Sequence, residues 1–473
     1  MVDGSTIVVD IGKTNAKVSL WDPSNRLVER NVRSNKPQRS ASGYQALDVD
    51  GIDAWLVDSL AAFARLGPVA RIVTVGHGAA AALVRDNTLF LDPVDYENEV
   101  PVSERAAYDA QRDSFSATGS PALPQGLNLG VQLHLLEKTL GPLPNDVIIV
   151  PWPQYWAWRF SGVAASEVTS LGCHTDLWRP AEKTFSELAV RRGWAARMAP
   201  LRSAGASLGT ITPEFAATTG LNKDCQVLCG LHDSNAALQA ARGHREIAAN
   251  EATVLSTGTW FVAMRSLGKD AQFDMEQLEE ARDCLVNDDL MARPTPSARF
   301  MGGRELELIA GIDSFALTDG VQPQEFLRRL PGLVEKYTCP CPSFVSGVGP
   351  FPAATGAWPD RPDDLVDQRV LIHLYLALMA NSALDLIGSR DRLLVEGRFA
   401  EDPVFVRTLA TLRPGQRVYT SNAEHDVAYG ALRLVTPDLA PSSELMSIAP
   451  LDVELVDYAA DWRTRAIEAQ EAA

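Results

Sequence analysis

The stretch Ile7-Val8-Val9-Asp10-Ile11-Gly12-Lys13-Thr14-Asn15-Ala16-Lys17-Val18-Ser19-Leu20-Trp21-Asp22 decides the fold of this chain. Two β-rich runs flank a tight turn carrying an acid, a glycine, two cations and small polar side chains, which is how a backbone approaches phosphate. Gly12-Lys13-Thr14 looks like the end of a Walker A loop, but that motif needs a glycine five positions before Gly12 and a helix after it. Position 7 is Ile, and Ala16 to Trp21 alternates with a period near two, as a strand does. The unit therefore reads strand, turn, strand. Gly12 permits the bend and a close approach, Asp10 is placed to hold a metal-bound water, and Lys13 and Lys17 to offset phosphate charge. An ordinary hairpin with a polar tip would show the same alternation.

Outside this stretch, 473 residues exceed what one core organises, so two or three domains are expected. Hydrophobic content of 46% with 22% charged residues belongs to a globular chain. A net charge of −17 without any basic run argues against nucleic acid, and small molecules are the expected partners. No charged and apolar leader is evident, and the apolar block Val370 to Ala380 is too short to span a bilayer. Six scattered cysteines form no disulfide framework and Cys339-Pro340-Cys341 lacks zinc spacing, so a reducing cytoplasm is expected, with no membrane partner.

Strand-like runs at Thr6–Val9, Val18–Leu20 and Leu27–Val32 precede a helical pattern at Ile52–Ala64 and a strand at Arg71–Val75. This order predicts an α/β sheet of mixed direction. Pro101 to Gln125 reads as an irregular loop or cap, Leu127–Leu140 as a helix, and Val147–Val150 then Tyr155–Phe160 as strand then helix. Near Ala249 a second hairpin of the same kind begins, Thr253 to Met264, around Ser256-Thr257-Gly258-Thr259. Beyond a Pro/Gly-rich loop at Pro340–Pro362, the patterns predict a helix over Leu365–Ile387, a strand at Arg392–Val395, a helix over Val404–Leu412, and a short strand and helix around Val427–Leu434. An acidic and then helical tail closes the chain after Pro441.

In Val227-Leu228-Cys229-Gly230-Leu231-His232-Asp233-Ser234-Asn235, an apolar strand meets a glycine, then an imidazole and a carboxylate at the start of a helix. Asp233 could be merely a cap, but capping needs neither Gly230 nor His232. Against a sugar hydroxyl, Asp233 could accept the proton as that oxygen attacks a phosphoryl group. Ser256-Thr257-Gly258-Thr259 could cradle phosphates from the other side, and Leu393-Leu394-Val395-Glu396-Gly397 ends a strand on a glycine against which adenosine could lie.

The order of these segments resembles the FGGY carbohydrate kinases of the actin, hexokinase and Hsp70 superfamily, and within them the L-rhamnulose and L-fuculose kinase branch. The segments carrying the resemblance are Asp10 to Lys17, Gly230-Leu231-His232-Asp233, Ser256 to Trp260, Pro151 to Gly162 with Glu167 to Ser170, and Ala428-Tyr429-Gly430-Ala431. Lys13 and Lys17 stand where relatives carry Thr or Ala and Arg, and Glu396 where a glycine is usual.

The resemblance implies two actin-like (ribonuclease H-like) α/β domains with mixed sheets flanked by helices and a cleft between them. The N-terminal one, 1–244, would bind sugar and supply the base; the C-terminal one, 245–473, would bind nucleotide. It implies ATP and Mg²⁺ as cofactors, with Gly12, Lys13, Thr14, Asn15, Lys17, Thr257, Gly258, Thr259, Gly303 and Gly397 near the nucleotide. Asp10 would hold the metal through water, and Asp233 would be catalytic base and lie at the metal. His77, Gln132, Trp152, His232 and Asp233 would line the sugar site. A small sugar is the expected substrate, and the chain could pair as a homodimer. The rival readings are a sugar-binding or regulatory member without turnover, and a superfamily phosphohydrolase.

Overall fold

The computed structural model describes residues 4–269, 271, 273–311, 320–336, 339–421, 427–441 and 444–472. The chain divides into two compact α/β units. The first comprises Met1–Gly243, Val286–Pro294 and His425–Leu439, and the second His244–Leu285, Thr295–Glu424 and Ala440–Ala473. Two late segments thus count with the first unit, which a single boundary after residue 244 does not describe.

In the first unit the opening hairpin is β1 (Ser5–Ile11) and β2 (Asn15–Trp21), antiparallel, with Asp10 opposite Lys17 and Ile11 opposite Ala16. β3 (Leu27–Ser34) extends it. Helix α1 (Val49–Ala64) starts where Asp48 caps the Gly51 amide, and it leads to β4 (Val69–Gly76), which lies parallel to β1. β5 (Ser207–Thr210), β6 (Gln226–Leu228) and β7 (Leu231–His232) complete the sheet, ordered β5-β6-β4-β1-β2-β3 with β7 also on β4. One face of this sheet, with Ile7, Val9, Val18 and Ile72, is covered by Ile52, Leu56, Leu60 and Phe63 of α1. Each such fully buried side chain contributes about 1.5–3 kcal/mol. β7 runs directly into α2 (Asp233–Ala241).

The second unit has its own seven-stranded sheet. β8 (Ala252–Thr257) and β9 (Phe261–Ser266) form its hairpin; β10 (Cys284–Asp288) and β11 (Pro294–Phe300) follow on one side. Helix α3 (Leu365–Leu386) precedes β12 (Arg392–Gly397), which is parallel to β8, and then β13 (Arg417–Ser421). Both units therefore open with an antiparallel hairpin whose first strand later gains a parallel neighbour. Helix α3 is long and apolar enough to cross a membrane, but 78% of its apolar window is buried within the protein. Its near-continuous apolarity reflects burial on several sides.

Helix α4 (Val427–Val435) belongs to the first unit. Its Ala428, Ala431 and Leu432 join Ala236 of α2 on the second face of the first sheet, over Val8, Val73 and Val75. A short strand and a helix were expected around 427–434; the strand is instead β13, and residues 427–435 are helical throughout. The expected loop at 101–125 contains the helices Val102–Asp109 and Phe115–Thr118. These are polar and short, so their amphipathic signal is weak. β14 (Leu445–Ser447) and the helix Val456–Glu471 close the second unit.

Candidate functional site

Strands β1, β4 and β7 lie side by side and parallel, with Asp10, Val75 and Leu231 on one register line and Ile11, Gly76 and His232 on the next. Asp10 stands one residue before the carboxyl edge of this sheet and Asp233 one residue beyond it, two strand spacings or roughly 10 Å away. The carboxyl edge is where open α/β sheets hold ligands. Because side chains alternate, Asp10 shares the face of Val8, the one that α2 and α4 cover. Lys17 stands opposite Asp10 across the hairpin, so the two side chains share that face.

Gly230 separates β6 from β7, both of which pair with β4. Its φ is +79°, and a Cβ there would fall 2.1 Å from the Thr74 carbonyl oxygen, so only glycine fits. The chain then places His232, 5% exposed, and Asp233 at the start of α2, where the helix dipole favours a carboxylate. Asp233 Oδ1 accepts from the Ser234 amide (2.6 Å) and Oγ (3.3 Å) and lies 3.2 Å from His232 Nε2. The Asp233 side chain remains 30% exposed, enough to meet a substrate.

A cavity of 130 Å³ in the first unit is lined by Gly12, Lys13, Thr14, His77, Asp95 and Trp152, among others. His77 Nδ1 lies 2.9 Å from the Gly78 carbonyl, which can only accept, so this nitrogen donates and Nε2 is left as an acceptor on the neutral ring. Burial pushes the His77 pKa below its ordinary value, while Asp233 and Asp95 pull the other way. Tyr96 meets the ring edge-on at 5.2 Å.

Lys13 is engaged by carboxylates of the first unit. Its ammonium pairs with Asp95, contacts Glu97 at 3.1 Å and lies 5.1 Å from the centre of the Tyr96 ring. A buried carboxylate, invisible in the local pattern, pairs with this cation. Thr14 and Asn15 sit at the hairpin turn, which Asn35 braces by donating to the Gly12 carbonyl (2.8 Å). Gly12 is needed there, since a Cβ would approach the Asn15 oxygen to 3.0 Å.

Trp152, which lines the cavity, and Gln132, both expected in the sugar pocket, are also tied to the backbone. Trp152 is 0% exposed and its Nε1 donates to the Ile11 carbonyl (3.2 Å), tying a helix start to the end of β1. Gln132 Nε2 donates to the carbonyls of Ala79 (2.5 Å) and Gly126 (2.7 Å).

In the second unit, the segments flagged from sequence come together. Gly258 and Thr259 form the exposed tip of the β8–β9 hairpin. Gly303, near the start of the helix Gly302–Ala310, packs on it so closely that a Cβ would lie 2.4 Å from the Gly258 oxygen. Gly397, with φ +83°, lies against the Thr257 carbonyl, where a Cβ would come within 2.3 Å. The Thr257 hydroxyl is not available to a ligand: it donates to the Glu396 carbonyl (2.5 Å) and accepts from the Phe399 amide (3.0 Å). Glu396 is 7% exposed, and burial pushes its carboxyl up to about 8. The residue at the unusual position is thus a mainly neutral buried acid at pH 7 and not an exposed charge.

Among the described residues no group of three or more His, Cys, Asp or Glu could hold a metal ion. Three further residues carry the site and were missed. Asn235 links His232 Nδ1 (3.1 Å) to the Asp288 carbonyl (2.6 Å). Thr169 accepts from the His232 amide (3.0 Å) and donates to the buried Glu167 (2.5 Å), whose carboxyl burial pushes up to about 8. Asn235 sits in the quoted motif and was legible as a polar residue on an otherwise small-residue helix; the partner from residue 288 was not.

Residues 249–443 match the family described as carbohydrate kinase FGGY, C-terminal domain. A solved carbohydrate kinase from Novosphingobium aromaticivorans is 50% identical, with 97% of this chain and 100% of that one covered and a TM-score of 0.93. The chain belongs to the FGGY carbohydrate kinase family. As a member of that family it is a sugar kinase, a phosphotransferase. Xylulose kinase from Lactobacillus acidophilus (11% identity, 99% and 97% covered, TM-score 0.79) and glycerol kinase from Plasmodium falciparum (10%, 99% and 98%, 0.72) share the fold. No curated protein matches the chain.

Proposed function

We propose that this FGGY kinase transfers the γ-phosphoryl group of ATP to a hydroxyl of a small ketose of the L-rhamnulose or L-fuculose kind, with Asp233 as general base. The observation that carries the reading is Asp233 itself, a partly exposed carboxylate just past the carboxyl edge of the sheet, with Oδ1 held by donors on one side only. Its free oxygen accepts the sugar hydroxyl's proton as that oxygen's electron pair forms a bond to phosphorus. The bond from phosphorus to the bridging oxygen breaks, and ADP leaves with that pair. His77 Nε2 accepts a hydrogen bond from another sugar hydroxyl and so orients the acceptor. In the second unit, Gly258 and Thr259 offer amides and a hydroxyl to the phosphates. Mg²⁺, held through water by Asp10, would neutralise charge on the transferred group.

The His232-Asp233 pair and the Gly258-Thr259-Trp260 ending support the deoxyketose branch through the sequence resemblance stated above. The test is an ATP-consumption assay over ketoses, aldoses and polyols with the natural chain and Asp233→Asn. The variant should lose turnover while still binding nucleotide, and retained turnover would remove Asp233 from the role. A preference for an aldose or a polyol would remove the ketose assignment alone.

A further inference from the structure

The carbonyl of Asp288 carries no proton, so the group 2.6 Å from it must be the amide nitrogen of Asn235. That fixes Asn235 Oδ1 on the side of His232, 3.1 Å from Nδ1. Oδ1 can only accept, so Nδ1 carries a hydrogen. Nε2 of the same ring faces Asp233 Oδ1 at 3.2 Å. A neutral ring protonated on Nδ1 would point its lone pair at that oxygen, which two acceptors do not tolerate; a proton therefore lies in this contact. The ring has room because residue 78 is glycine: a Cβ there would be 2.8 Å from His232 Nε2. Little water reaches the contact, since His232 is 5% exposed.

Resting on the assignment of Asp233 as base, we infer that Asn235 and His232 are positioning residues that give the two oxygens of Asp233 different tasks. Oδ1 receives His232 Nε2–H together with the amide and hydroxyl of Ser234, and Oδ2 takes the proton of the sugar hydroxyl. Asn235, 1% exposed, holds the ring so that its proton is always presented to Asp233. The proton on Nε2 does not move in the transfer step; the sugar's proton goes to Oδ2, the sugar oxygen bonds to phosphorus, and the bridging electron pair leaves on ADP.

Other titratable groups face this chain. His77 interacts electrostatically with Asp233, and the Cys173 thiol, pushed up to about 12 by burial, interacts with both Asp233 and Asp288. Glu167 touches the backbone of His232 through Thr169, and the carboxyl of Asp288 is pushed up to about 7 by burial and by Asp289.

The experiment compares Asn235→Leu and Asp233→Asn for kcat and sugar KM, with thermal melting of each. Asn235→Leu should lower kcat about tenfold or more with sugar KM changed by less than about threefold, since orientation and not binding is lost. Unchanged kcat in Asn235→Leu overturns the inference while leaving Asp233 as base. Turnover retained by Asp233→Asn overturns both. Where Asn235→Leu melts early, His232→Gln and His232→Ala decide: Gln still donates beside Asp233 and should keep more kcat than Ala, and equal losses would overturn the inference.

Discussion

A Cβ on Gly430 would lie 1.8 Å from the carbonyl oxygen of Ala236, so the bare backbone of α4 is what allows it to lie against α2. Asp233 is the first residue of α2, so this contact supports the catalytic segment from behind. The Ala428-Tyr429-Gly430-Ala431 segment packs with the first unit.

Gly430→Ala should therefore destabilise the first unit by about 1–3 kcal/mol through overpacking. It should also lower kcat more than either KM, because α2 must shift. Calorimetric melting and steady-state kinetics check this; a variant with unchanged Tm and kcat would show that the helices separate without cost.

Lys13→Met separates a phosphate role from a clamp in which the ammonium holds Asp95 and Glu97 beside the cavity of the first unit. The side chain of Asp95 is 1% exposed and loses its cation, a loss on the order of 1–3 kcal/mol. The clamp predicts a rise of about tenfold in sugar KM with ATP KM nearly constant. A rise confined to ATP KM would restore the phosphate role.

The Glu396 carboxyl has a folded-state pKa of about 8 against an ordinary value of 4.5. Between those values the folded chain holds a proton that the unfolded chain releases, so Glu396 makes stability fall as pH rises through that window. Glu396→Gln should remove this slope and stabilise the second unit at pH 8 by on the order of 1–4 kcal/mol. Denaturant unfolding at a series of pH values measures it, and identical slopes for both proteins would contradict the assignment.

His77 has the opposite sign. Burial lowers the pKa of a base, so its contribution to stability is fully present above the ordinary value of 6.5 and is lost as pH falls through the folded-state pKa. The same protonation converts Nε2 from acceptor to donor. Sugar kcat/KM should therefore drop on the acid side, and His77→Asn should abolish that limb while lowering kcat/KM at neutral pH. A limb that survives in His77→Asn would remove His77 from this role.

Strand, turn and helix signals were legible wherever local pattern and burial agree. Both hairpins, the helix over 365–386 and the strand at 392–397 follow from alternation or sustained apolarity bounded by glycine. The glycines were legible too, since Gly230 and Gly397 adopt positive φ that other residues avoid. Side-chain partnership was not. Lys13, Thr257, Gln132 and Trp152 have the chemistry of ligand-binding groups, and each is engaged by a protein atom from a distant segment.

By itself, then, the sequence determined the hairpin at Asp10 to Lys17, the glycine before His232-Asp233, and the order of segments that marks the family, because periodicity, turn chemistry and left-handed backbone are local properties. Only the tertiary structure decided which polar groups remain for a ligand. Asp95 claims Lys13, the carbonyl of Asp288 orients Asn235 and through it His232, and Gly430 admits α4 against Ala236. Buried donors and acceptors must find partners wherever the fold brings them, and those partners lie tens to hundreds of residues away along the chain.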